Sequence, residues 1–179
     1  MKKLIIALFL FSSIHAVAQN YSPADAGSAV KFAIKNFGLT VNGSFTGIQG
    51  KIVFDPANIA AAYFAVSVDA ATVNTGNGSR DKHLKKEEYF DAAGHAKLNF
   101  ISAKVIAGGK AGTYYMEGAL IIKGVSKNIS FPFTATATAN GYQFAGQFKI
   151  NRRDFKVGGS SMVLSDDLTV LLNISANKQ

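Results

Sequence analysis

The stretch Asn128–Ile150, NISFPFTATATANGYQFAGQFKI, decides the fold. It holds two runs of alternating side chains joined by Asn140-Gly141. In the first run Ile129, Phe131 and Phe133 share a face opposite a row of Thr134, Thr136 and Thr138; in the second, Phe144, Phe148 and Ile150 share a face. Strand side chains alternate with period two. Asn-Gly favours the tight turn whose twist suits a hairpin. The stretch predicts an antiparallel hairpin with one apolar face.

The same pattern recurs on both sides. Val30–Lys35 places Val30, Phe32 and Ile34 opposite Lys31 and Lys35. Phe45–Phe54 places Ile48, Ile52 and Phe54 opposite Gln49 and Lys51, and Asp55-Pro56 ends it in a turn. Tyr63–Ala70 sets Phe64, Val66 and Val68 against Ser67 and Asp69. Lys97–Val105 carries Leu98 and Phe100 inward, and Gly108-Gly109 breaks the chain. Thr113–Lys123 groups Tyr114, Met116, Leu120 and Ile122. Asp167–Ala176 closes with Leu168, Val170, Leu172 and Ile174. About eight short strands with one apolar face each must bury that face in a sandwich or a closed barrel. The first and last alternate cleanly enough to pair and close the sheet. Periodicity alone does not separate the two architectures. Ser79–Phe90, SRDKHLKKEEYF, is the exception: Ser79 as N-cap and Asp81 in the first turn predict a single short helix near residues 79–90.

The N-terminus reads as an export signal. Lys2 and Lys3 precede the apolar run Leu4–Phe11, and Ala16-Val17-Ala18 has the small-x-small cleavage pattern. Cleavage is expected after Ala18, dividing the chain into a signal peptide, 1–18, and one domain, 19–179, in the periplasm or secreted. The chain has no Cys, so neither a lipidated N-terminal Cys nor a disulfide is available. No later segment approaches 18 consecutive apolar residues, and a soluble mature protein is expected. The net charge of +8 comes from scattered lysines and arginines, apart from Lys82, Lys85, Lys86 and the pair Arg152-Arg153. It reads as a solvated basic surface with a weak attraction to membrane headgroups as the sharper alternative. No basic aromatic motif points to nucleic acid.

Catalytic and metal signatures are thin. His83 and His95 lack a second ligand at metal spacing, so no metal is expected. There is no G-x-S-x-G elbow. Gly109–Thr113 has glycines but not the spacing of a phosphate loop, and no cofactor is expected. What stands out is apolar bulk: fourteen Phe and six Tyr, falling mostly on strands. A barrel wall built from them suits a long alkyl or isoprenyl chain. Each buried CH2 contributes about 0.8 kcal/mol. Ten give roughly 8 kcal/mol, which corresponds to a micromolar Kd before ordering costs. The lumen candidates are Phe32, Ile34, Ile52, Phe64, Val66, Leu98 and Phe100 in the first half. In the second they are Met116, Leu120, Phe131, Phe133, Phe144, Phe148 and Leu172.

An ordered set of motifs resembles the YceI-like family of exported proteins. It comprises Phe45-Thr46-Gly47-x-x-Gly50 with Phe54-Asp55, DAATVNT at Asp69–Thr75, and RDKHL at Arg80–Leu84 with Tyr89-Phe90-Asp91. GALIIKGVSKNI at Gly118–Ile129, INRRDF at Ile150–Phe155 and the final strand complete it. The set spans Val30 to Ala176. One departure is His95-Ala96, where the family often has Pro and a β-branched residue. The resemblance implies an all-β, lipocalin-like extended antiparallel barrel that binds a polyisoprenoid or similar long-chain amphiphilic lipid in its lumen; homodimers occur in the family.

Two mouth groups follow from these motifs. An Arg80–Asp81 pair is expected to pin the helix, and Arg152, Arg153 and Asp154 to form a salt-bridged turn. The alternative is that Arg80, Lys82, His83 and Arg152 meet a polar or pyrophosphate headgroup. The leading function is a non-catalytic lipid carrier. A filled-barrel interaction module and a lipid-modifying enzyme using His83 and Asp81 are the alternatives.

Overall fold

The computed structural model describes residues 19–179; the expected signal peptide and its cleavage site fall outside the described residues. The strands are β1 (Asn20–Asn36), β2 (Leu39–Phe45), β3 (Gln49–Val53), β4 (Tyr63–Asp69) and β5 (Lys97–Ala107). They continue with β6 (Thr113–Ile122), β7 (Val125–Thr138), β8 (Gly141–Asn151) and β9 (Leu164–Lys178). Every pairing between neighbours is antiparallel, and β9 pairs back onto β1, Phe32 opposite Val170, so the sheet closes. Strands β2 and β3 both lie along β1, at Val30–Asn36 and Asn20–Tyr21 respectively, and so fill one position in the wall. The result is a closed eight-position antiparallel barrel. Closure, which the alternation left open, removes the sheet edges of a sandwich.

The interruption between β2 and β3 has a local cause. Asp25, on β1 beside a register shift, accepts from the backbone N–H groups of Gly47 and Ile48 at 3.0 and 2.9 Å. Those two amides point at a carboxylate instead of a neighbouring strand. The expected strand Phe45–Phe54 therefore divides, and Leu39–Phe45 is a strand the alternation did not mark. The helix also differs from expectation. Helix α1 covers Gly78–Leu84, and its N-cap is Asn77, whose side chain accepts from the Arg80 N–H, rather than Ser79. After Leu84 the chain turns so that Tyr89 and Phe90 pack inward; Phe90 meets Phe45 edge-on at 5.2 Å between ring centroids.

The β7–β8 ladder is incomplete. It joins Phe133–Thr138 to Gly141–Gly146 and stops there, while β7 continues toward Val125 paired only with β6. Pro132, which has no N–H to offer, stands at the point where the ladder ends. Beyond it Phe131 and Phe148 face each other across the seam with ring centroids 4.6 Å apart.

The barrel interior is filled at one end. Phe54, fully buried, sits among Phe64, Tyr114, Tyr142 and Phe144 at centroid distances of 5.0–6.2 Å, all edge-on. Edge-to-face geometry sets the positive ring edge against the negative face of the next ring. Tyr21, Ile52, Met116, Phe133, Ile174 and Ala176 complete this plug.

Candidate functional site

Above the plug the inward side chains do not meet. An apolar cavity of about 580 Å3 occupies the other end of the barrel. Its wall comes from the C-terminal ends of β1, β4, β6 and β8 and the N-terminal ends of β2, β5, β7 and β9. The connection from β4 to β5, carrying α1, and the connection from β8 to β9 form its rim. The difference between the two ends appears in burial. The inward residues of the plug are buried, Tyr142 excepted, whereas Phe32, Ile34, Phe100, Phe148, Val170 and Leu172 point inward yet stay half-buried.

Two glycines on the wall make this room. The Phe32 ring lies over Gly43, its partner across β1 and β2, filling the place of an inward β-carbon. The Phe100 ring lies over Gly118 in the same way, with Cζ 2.6 Å from where that β-carbon would be. Each ring thus lies along the wall instead of crossing the lumen.

Of the fourteen lumen candidates, nine line the cavity: Phe32, Ile34, Val66, Leu98, Phe100, Leu120, Phe131, Phe148 and Leu172. The other five, Ile52, Phe64, Met116, Phe133 and Phe144, belong to the plug. They lie at a height where facing rings leave only a small apolar gap of about 60 Å3. The alternation missed lining residues from irregular segments, among them Leu84, Tyr89, Phe90, Phe155 and Val157. INRRDF and RDKHL with Tyr89-Phe90 were the available signals.

Polar groups gather at the rim. Arg80 and Asp81 do not pair with each other; both close on Thr75. The Asp81 carboxylate accepts from the Thr75 N–H at 2.8 Å and hydroxyl at 2.6 Å. Arg80 donates from Nε to the Thr75 hydroxyl at 2.7 Å and from Nη2 to its carbonyl at 3.0 Å. Hydrogen bonding from the Thr75 hydroxyl holds the Asp81 carboxyl below the ordinary aspartate range. Asp81 therefore secures the start of α1, while Arg80 and His83 line the cavity. His83 Nε2 lies 2.7 Å from Glu88 Oε1.

Arg152 also lines the cavity and is 3% exposed. It donates from Nε to the Ser165 carbonyl at 3.0 Å, from Nη1 to the Val157 carbonyl at 2.9 Å and from Nη2 to Asp166 at 2.7 Å. Arg153 reaches the other Asp166 oxygen at 3.5 Å. The salt-bridged turn exists, but its acid is Asp166 at the start of β9, not Asp154. Across the hairpin from β8, Asp166 is brought to both arginines, whereas Asp154 sits in the short 3-10 turn Arg152–Phe155 itself.

Such a site can hold an apolar chain by burial and offer cationic groups where the chain leaves the wall. Its size falls within the about 300–1,000 Å3 of sites that enclose drug-sized ligands.

Known proteins with this arrangement belong together. A UPF0312 protein of Vibrio cholerae is 29% identical over 91% of this chain and 94% of its own. The crystal structure of Burkholderia cenocepacia BcnA superposes with a TM-score of 0.80 over 85% of this chain and 98% of its own, at 23% identity. A polyisoprenoid binding domain from Saccharophagus degradans superposes with a TM-score of 0.70 over 91% of this chain and all of its own, at 17% identity. The YceI-like domain matches residues 21–176, from the second residue of β1 to two residues short of the end of β9. The chain belongs to the YceI-like family.

Proposed function

We propose that this protein is an exported, non-catalytic lipid-binding protein that holds a polyisoprenoid or similar long-chain amphiphile in the barrel cavity, for carriage, storage or sequestration. The carrying observation is the apolar cavity of about 580 Å3, walled by aromatic and aliphatic side chains, with Arg80, His83 and Arg152 at its rim. Membership in the family and the polyisoprenoid binding of the Saccharophagus neighbour support the choice of ligand. The leader-like residues 1–18 support export to the periplasm or beyond. The rim supports a non-catalytic reading: Asp81 is committed to Thr75, so the His83–Asp81 pair that an enzyme was expected to use does not form, and His83 lies against the exposed Glu88 instead. The interior is filled at one end only, which removes the premise of a filled-barrel module.

Native mass spectrometry of the protein purified from its own host, followed by organic extraction, tests this. A stoichiometric extra mass that extracts as a long-chain lipid is expected, on a chain beginning at Gln19. A clean apo mass with no uptake of added isoprenoids overturns the reading. The same spectra report whether the homodimer implied by the family resemblance forms.

A further inference from the structure

The rim carries apolar groups that nothing among the described residues covers. Phe37 and Leu39 at the β1–β2 turn are 74% and 73% exposed, and Met162 on the β8–β9 connection is fully exposed. The Phe37 N–H donates to the Val163 carbonyl at 2.9 Å, which joins the two segments into one projection. Residues beside them, Asn36, Ser161 and Val163, line the cavity, so the projection stands at its entrance.

Phe37 is held there at a cost. It adopts φ 50° in a two-residue turn with Gly38 at φ 75°. Such turns favour Asn or Gly at the first position, and a bulky residue at positive φ is strained. The conformation puts an aromatic ring at the outermost point of the hairpin with no intramolecular packing to show for it.

Lysines stand beside the projection, and the acids that follow it on β9 begin at Asp166, which is paired with Arg152 and Arg153. Residues 26–54 and 155–165 contain no acid. Lys35 lies two residues from Phe37, and Lys156 begins the connection that bears Met162. Lys123 donates its ammonium to the Lys156 carbonyl at 3.1 Å, adding a third cation there. Exposed apolar groups beside ammonium groups suit an interface with an apolar interior and anionic headgroups.

We propose that the projection formed by Phe37, Leu39 and Met162 docks on an anionic lipid bilayer, setting the cavity entrance against the membrane from which the ligand chain enters. The inference rests on the lipid-binding reading for its purpose but has its own readout. The chain has no Trp, so Met162→Trp introduces a single indole. Its emission is expected to shift to the blue with vesicles of phosphatidylglycerol and phosphatidylethanolamine, and less with phosphatidylcholine alone. Leu39→Asp/Met162→Asp is expected to reduce sedimentation with the anionic vesicles at least tenfold. Thermal melting and uptake of geranylgeraniol from ethanol are expected to stay within twofold of the parent protein. Absence of vesicle binding by the parent, or equal binding by the double variant, overturns the proposal. So does a parent dimer in analytical ultracentrifugation that the double variant dissociates without any vesicle binding, which assigns the projection to a second copy. Patch-dependent vesicle binding without geranylgeraniol uptake upholds docking and removes the lipid-binding reading instead.

Discussion

The Phe32 ring occupies the space where a β-carbon on Gly43 would stand. The two residues are direct partners across β1 and β2, so the absent side chain on one strand is what lets the ring on the other lie flat. A cross-strand pair of two large residues at this height would project both into the lumen.

Gly43→Ala is therefore expected to swing Phe32 into the cavity. Stability should fall by about 1–3 kcal/mol, as for overpacking, and affinity for an isoprenoid should fall several-fold. Denaturant unfolding with a fluorescent-lipid titration checks both. Unchanged affinity would mean the ring finds another place along the wall.

Phe54 and Phe148 are expected to separate the two ends of the barrel. Phe54→Ala removes the ring at the centre of the plug and should cost about 3–5 kcal/mol. Phe148 borders the cavity and is already half-buried. Phe148→Ala should cost clearly less while weakening lipid retention. Paired urea melts and retention assays on the two variants give the comparison.

Removing Asp166 leaves the Arg152 guanidinium buried with one arm unpaired. Asp166→Ala is expected to destabilise by about 3 kcal/mol, the low end for a broken buried pair, because the Asp166 side chain is 37% exposed. Asp154→Ala should change stability by less than about 0.5 kcal/mol. Equal effects from the two would contradict the pairing.

Acid should loosen the rim before the barrel. The folded-state pKa of Asp81 is lowered, chiefly by the Thr75 hydroxyl. Its contribution is therefore fully present above the unfolded aspartate value and is lost as pH falls through the depressed folded value. Thr75→Val should bring the Asp81 titration back toward the ordinary range and release the α1 region at higher pH. Carboxyl-carbon NMR titration of Asp81 in both proteins follows this directly.

Much of this was legible in alternation. The inward faces of β4 to β9 were readable because period two fixes which side chains share a face. Strand β2 was not, because Gly43 stands where its alternation needs an inward side chain, and the ring that fills that place lies on another strand. The division of the fourteen lumen candidates into wall and plug was also beyond reach. Alternation gives direction but not height, and Phe133 and Phe131 differ only in what stands opposite them. Asp166 was missed for a related reason. Its arginine partners are fourteen and thirteen residues away, and only the return of β9 alongside β8 brings them together.

The seam between β7 and β8 makes the barrel resemble a cask hooped at one end. Around the plug β7 is laddered to β6 on one side and to β8 on the other. Past Pro132 no ladder joins β7 to β8, so those staves are held by side chains: the rings of Phe131 and Phe148 and, nearer the rim, Val125 and Ile150 packed against Ile122, Phe155 and Val157. The stoppered end is hooped by backbone and the chamber end, along this seam, by side chains alone.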